Sequence, residues 1–207
     1  MNAYGKLSNK PETLNMLLVG VGGQGTILAS NILAELGLKL GYDVKKAEVH
    51  GMSQRGGSVI SHLRWGLEVF SPIIAKGQAD VMVAFEKMEV ARYMDILKPE
   101  GMVLSNNHAI PPITVSTGAS SYPEDELLQA KISKITQNVH WIDGLGIAEE
   151  LGNVRTANVV LLGALSSLLD MQSEPWLEVL AARLPPKFID INREAFAAGR
   201  KSIALAV

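Results

Sequence analysis

A short apolar run that breaks into glycines and resumes as a helix is the strongest constraint in this sequence. Asn15-Met-Leu-Leu-Val19 reads as a buried parallel strand, and Gly20-Val-Gly22-Gly23-Gln24-Gly25 follows it directly. From Thr26 to Leu40 apolar residues recur at helical spacing (Ile27, Leu28, Ile32, Leu33, Leu36, Leu40), and Gly41 stands where a C-cap is needed. Strand, G-x-G-x-x-G and helix in that order open a doubly wound nucleotide-binding fold. Glycines let the backbone turn tightly and approach an anion, and the free N–H groups of the first helical turn point at it. Glu48, at the end of the second strand candidate Val44–Val49, is placed to hold a ribose hydroxyl. Thr26 stands where a P-loop requires lysine, so that loop type is excluded. The same glycines also fit a plainer role, a tight turn with close helix–sheet packing.

The rest of the chain continues the alternation. Ser58–Trp65 alternates as a half-exposed, antiparallel strand. Further strands are expected at Val81–Phe85, Met102–Ser105, Ile113–Val115 and Val139–Ile142, with a helix at Met88–Leu97 and a turn at Lys98-Pro-Glu-Gly101. Pro123 opens another helix, with acids in its first turn. Beyond Ile142 helices are predicted at Gly146–Leu151, Thr156–Leu169, Pro175–Arg183 and Ile191 to about Leu205. The expectation is therefore an α/β fold: a doubly wound, Rossmann-like, mostly parallel sheet with helices on both faces and a helical C-terminal tail. Residues 1–14 read as a polar arm and 15–207 as one domain, since 207 residues leave little room for a second.

Composition narrows the chemistry. The chain has no cysteine, which excludes disulfides, thiolate zinc sites, thiol nucleophiles and a cysteine-ligated iron–sulfur cluster on these residues. His50, His62, His108 and His140 lack metal-site spacing, so no metal is expected. A net charge of -2 without a basic stripe argues against nucleic acid. No apolar run approaches the roughly 20 residues of a membrane span, and the N-terminus lacks a signal-peptide core, so a cytoplasmic location is expected.

A second glycine-rich segment, Glu48-Val-His-Gly-Met-Ser-Gln-Arg-Gly-Gly-Ser58, concentrates an acid, a base, a guanidinium and small polar groups. Arg55 offers a planar, permanently charged fork suited to phosphate or carboxylate. Gly51-Met-Ser-Gln-Arg55 lacks the second glycine of a nucleophile elbow, so a hydrolase serine is not indicated. His50 and Glu48 share one face of a strand and could form an acid–base pair, although such pairs are more often surface hydrogen bonds; His50 is the one catalytic candidate.

Taken together, Gly20–Gly25, Gly41-Tyr-Asp-Val44, Glu48–Val59 and Ser61-His-Leu-Arg64 resemble the gamma subunit or domain of 2-oxoacid:ferredoxin oxidoreductases, closest to the indolepyruvate type. Ala79-Asp-Val81, Phe85-Glu86, Asn158, Ile191-Asn-Arg-Glu-Ala-Phe196 and Gly199 fit as well, so the similarity covers Asn15 to Gly199. The resemblance implies oxidative decarboxylation of a 2-oxoacid to acyl-CoA and CO2 with reduction of ferredoxin. It places thiamine diphosphate and the iron–sulfur clusters on a larger partner subunit, with coenzyme A as substrate and no cofactor on this chain, which is inactive alone. The missing cysteines and the lack of a Gly-Asp-Gly thiamine signature agree with that division. Gly22, Gly23, Gln24, Gly25 and Thr26, with Ser53, Gln54, Arg55, Gly56 and Gly57, are then expected to line an anion-friendly surface facing CoA or the partner. Two other readings stand beside it: a free-standing NAD(P)-dependent dehydrogenase using the Gly20–Gly25 loop, and a nucleotide-binding regulatory module.

Overall fold

The computed structural model of the chain describes residues 13–50 and 57–204. The opening strand, β1, runs from Thr13 to Val21, two residues into the expected polar arm. Met16, Leu17, Leu18 and Val19 are fully buried, as an unbroken apolar run requires when both faces of a strand are covered. Helix α1 (Thr26–Lys39) ends at Leu40, and Gly41 follows with φ of 79°. Gly41 N bonds Leu38 O and Tyr42 N bonds Gly37 O, the paired bonds of a Schellman cap. Next come β2 (Asp43–His50), β3 (Ser58–Gly66) and β4 (Ala79–Ala84). Helix α2 (Lys87–Tyr93), β5 (Leu97–Asn106), α3 (Ile113–Ser116), α4 (Asp125–Ile132) and β6 (Val139–Ile142) follow. The remainder is helical: α5 (Gly144–Glu150), α6 (Ala157–Leu168), α7 (Glu174–Arg183) and α8 (Ile189–Ala204).

The six strands form one mixed sheet in the order β2-β3-β1-β4-β5-β6. β1 pairs in parallel with β4, β4 with β5 and β5 with β6, whereas β3 runs antiparallel to both β1 and β2. One core layer lies under α1, α6, α7 and α8 and includes Leu18, Leu33, Leu63, Val83, Leu162 and Phe196. The other lies under α2 and α4 and includes Leu17, Val19, Met82, Val90 and Ile132. Trp176 is a core residue, buried against Phe196 at 5.8 Å between ring centroids. Helix α6 is buried from Asn158 to Ser166, which explains why it carries no charged residue on any face.

Four expectations are corrected. Ile113–Val115 is a one-turn helix, not a strand, because it sits in the exposed excursion after β5 with no neighbouring strand to pair. The Lys98–Gly101 turn is absorbed into β5 as an irregularity in its pairing with β4, with Glu100 at φ of 59°. As a result α2 stops at Tyr93, short of Leu97. β3 is not half-exposed: inserted between β1 and β2, it buries Ser61, His62, Leu63 and Trp65.

His62 Nδ1 accepts a hydrogen bond from Ile74 N at 3.2 Å, and burial lowers the pKa of the ring. A histidine kept neutral in the fold contributes stability that is complete above its unfolded value near pH 6.5. That contribution declines as pH falls towards the lower folded value, because the unfolded chain then binds more protons. His140 is shifted in the same direction by burial. The thermal midpoint should therefore drop between pH 7 and pH 5. His62→Gln, whose carboxamide oxygen can accept the same amide, should flatten part of that drop.

Candidate functional site

Helices α1 and α2 pack on opposite faces of the sheet, so the chain reverses its winding between β1 and β4. In doubly wound sheets ligands settle in the crevice outside the strand ends at such a point. A cavity of about 580 Å³ lies here, within the size range of ligand sites. Gly23, Gln24, Gly25 and Leu28 form one wall, Phe85, Asn106 and His108 lie at the ends of β4 and β5, and Arg155 and Asn158 close the far side.

The glycine loop is held from within. Gln24 Oε1 accepts from Val21 N at 2.8 Å, and Gln24 Nε2 donates to Phe85 O at 2.8 Å. Gln24 therefore binds the β1 loop to the end of β4 and is spent on structure. Gly25, at φ of 81°, caps α1 without a side-chain bond, and Gly23 has φ of 105°. Among the described residues the amides of Gly23 and Gly25 find no acceptor, and both residues line the cavity at the start of α1.

Two further polar groups await a partner. Asn158 is 5% exposed, lines the cavity, and its carboxamide has no hydrogen-bond partner among the described residues. Thr26 Oγ1 is fully buried behind the loop and equally unpartnered. The neighbouring Asn106 is occupied: its Oδ1 accepts from Gly144 N at 2.9 Å, fixing the start of α5. Arg155, exposed at the cavity mouth, makes no ion pair among the described residues.

The two glycine segments do meet. Gly22 N donates to Gly57 O at 2.9 Å, so the antiparallel β3 begins beside the loop that ends β1. Ser53, Gln54, Arg55 and Gly56 lie outside the described residues, as does the His50 side chain. Glu48 is not placed as a ribose acceptor. β3 separates its strand from β1, and its carboxylate accepts from Lys46 Nζ at 2.6 Å and Ser30 Oγ at 3.3 Å. Among the described residues no group of three or more histidines and carboxylates could hold a metal, and no helix is long and apolar enough to cross a membrane. His108, Asn106 and Arg155 were not indicated by the sequence motifs. Arg155 had one available signal, its place just ahead of the helix that carries Asn158.

This arrangement defines a Rossmann-like α/β domain whose glycine loop lines a cavity at the switch point of the sheet. The family described as pyruvate ferredoxin/flavodoxin oxidoreductase matches residues 15–202, and the chain belongs to that family. It is 42% identical over 191 residues to the indolepyruvate oxidoreductase subunit IorB of Thermococcus kodakarensis, covering 91% of this chain and 95% of that one. It is 38% identical to the corresponding subunit of Archaeoglobus fulgidus over 90% of this chain and 93% of that one. In fold it matches the gamma subunit of a keto/oxoacid ferredoxin oxidoreductase from Geobacter sulfurreducens, with a TM-score of 0.68 at 21% identity over 95% of this chain and 99% of that one. It also matches 2-oxoglutarate:ferredoxin oxidoreductase from Magnetococcus marinus, solved with 2-oxoglutarate, coenzyme A and succinyl-CoA bound. That TM-score is 0.71 at 23% identity, over 95% of this chain and 32% of the longer one.

Proposed function

We propose that this chain is the small subunit of a 2-oxoacid:ferredoxin oxidoreductase, acting on indolepyruvate or a related aryl pyruvate, and that its cavity receives the phosphate-bearing part of coenzyme A. The observation that carries the ligand reading is the meeting, on one cavity, of the unsatisfied amides of Gly23 and Gly25 with the unpaired Arg155 guanidinium and the unpartnered Asn158 carboxamide. Donors without acceptors around a cavity of this size suit a polyanion that brings its own oxygens. Apolar Leu28, Phe85 and Leu161 on the same lining suit a base or pantetheine arm. A chain without thiols cannot ligate a cluster through cysteine, so the clusters, with thiamine diphosphate, belong to a larger partner. On this reading the partner decarboxylates the oxoacid, passes electrons to ferredoxin and selects the side chain, while this subunit presents CoA.

The dehydrogenase alternative loses its ribose acceptor, because Glu48 is engaged by Lys46 and Ser30. In the assembled enzyme Arg155→Ala should raise the KM for CoA roughly five- to tenfold, the loss of one exposed charge-assisted contact. The effect should shrink at high salt, and the KM for the oxoacid should be unchanged. Arg55→Ala, assayed alongside, tests whether the Ser53–Gly57 segment contributes to the same ligand. An unaltered CoA KM in both variants would overturn the ligand assignment.

A further inference from the structure

Beneath the glycine loop, on the α2 face of the sheet, lie two carboxylates that the ligand site does not use. Glu86 is fully buried and caps α2, accepting from Glu89 N at 3.0 Å, from Ile110 N at 3.1 Å and from the Tyr122 hydroxyl. It is completely satisfied, and its role as a cap is sufficient explanation. Glu89 is different. It is 1% exposed, yet its only hydrogen-bond donor among the described residues is the Ser58 hydroxyl, with Arg92 Nε at 3.3 Å as its cation. Tyr93 OH lies 2.8 Å from Ser58 Oγ. Since Ser58 donates its one proton to the carboxylate, Tyr93 donates to Ser58.

Burying a carboxylate is costly, and burial raises the pKa of this one. A neutral apolar residue would fill the first turn of α2 without that cost. The neighbourhood suggests what is gained. Ser58 is the first residue of β3. The residue before it, Gly57, supplies the carbonyl that accepts the Gly22 amide of the glycine loop. A chain of contacts thus runs from Glu89 through Ser58 and Gly57 to Gly22, ending on the loop whose amides line the cavity.

We propose that Glu89 is a positioning residue. Through Ser58 it fixes the Gly57 carbonyl against Gly22 and so holds the glycine loop in its anion-accepting geometry, without itself touching ligand. The inference rests on the assignment of the cavity to CoA and adds a distant residue that tunes it. A carboxylate suits the task because a hydrogen bond to an ionised acceptor is stronger and shorter than one between neutral groups. Tyr93 limits Ser58 to one orientation, with the hydroxyl proton directed at Glu89.

The test uses the complete enzyme assembled with its partner subunit, and measures the KM for CoA, the KM for the oxoacid and kcat at saturating CoA. Glu89→Ala and Ser58→Ala should each raise the KM for CoA about tenfold, as expected for losing a hydrogen bond to a charged group. The KM for the oxoacid, and kcat at saturating CoA, should stay within about twofold, since the proposal confines the effect to the loop's ligand. Glu89→Gln, which still accepts from Ser58, should recover most of the affinity. The double variant should be no worse than either single one. If Glu89→Ala does not assemble, Ser58→Ala, which deletes a single oxygen, decides the question. An unchanged CoA KM in Ser58→Ala overturns the proposal, and so does an equal rise in both KM values. If Arg155→Ala raises the CoA KM while Ser58→Ala does not, the positioning role alone is wrong. If Ser58→Ala, Arg155→Ala and Arg55→Ala all leave it unmoved, the ligand assignment itself is wrong.

Discussion

Gly25→Ala should abolish useful binding of CoA, with a loss of affinity on the order of a hundredfold, while the subunit still folds. Two effects combine at this position. Its φ of 81° is left-handed, which costs a residue with a Cβ about 1–2 kcal/mol. In addition, the new Cβ would stand 2.4 Å from Asn158 Nδ2, so the carboxamide must leave its place on the cavity wall. Gly152 provides the control: it has nearly the same φ, 82°, with nothing within 4 Å of its Cβ position. Gly152→Ala should therefore show the backbone cost alone and leave the CoA KM as it was. Combining Gly25→Ala with Asn158→Ala removes the collision. It should restore some thermal stability and none of the affinity, because the polar contact is deleted along with the obstacle. Calorimetry and CoA titration of the three variants beside the unaltered protein would separate these contributions. Wild-type affinity in Gly25→Ala would mean that the loop does not carry the ligand.

The largest effect on stability is expected where α6 crosses α8. A Cβ on Gly199 would lie 1.9 Å from Val160 O, and one on Gly163 would lie 2.1 Å from Phe196 O. Both obstacles are backbone, so neither can rotate away. The two helices must separate, and the core packed around Leu162 and Phe196 opens with them. Gly199→Val should cost about 3 kcal/mol or more, which in a chain of this length lowers the melting temperature by roughly 6–12 °C. Ala197→Val, on the exposed side of the same helix, changes only helix propensity and should shift it by less than about 2 °C. Equal shifts in the two variants would show that the crossing is not a tight backbone contact.

These glycines also show how far the sequence could be read. The strand, glycine loop and helix from Asn15 to Gly41 were legible because periodicity, a special backbone position and a cap agree there locally. The core position of α6 agrees with the lack of any charged residue from Ala157 to Leu169. The position of β3 was not legible, because alternation over Ser58–Trp65 reports one polar face and one apolar face but not which strands will flank it or what will cover each face. His62 looked solvent-facing until the segment carrying Ile74 closed over it. Likewise Lys98-Pro-Glu-Gly101 carries turn residues, yet Leu97 before it and Met102 after it both pair with β4, so the stretch is carried inside β5 as a bulge. At the candidate site the backbone component was readable in the glycines. Arg155 and Asn106 come to it from distant elements, and only the folded sheet brings them together.

Reversal of a single strand has a consequence for how this surface can evolve. Because β3 runs against its neighbours, the connection between β2 and β3 emerges at the same pole as the loops that follow β1 and β4. At its far end, among the described residues, Gly57 O accepts from Gly22 N of the glycine loop. Residues can be added to or removed from that connection without shifting the register of any core strand, since loop closure costs grow only slowly with length. The length of chain at this pole can therefore change while the hydrophobic layers, and the winding that creates the crevice, stay as they are.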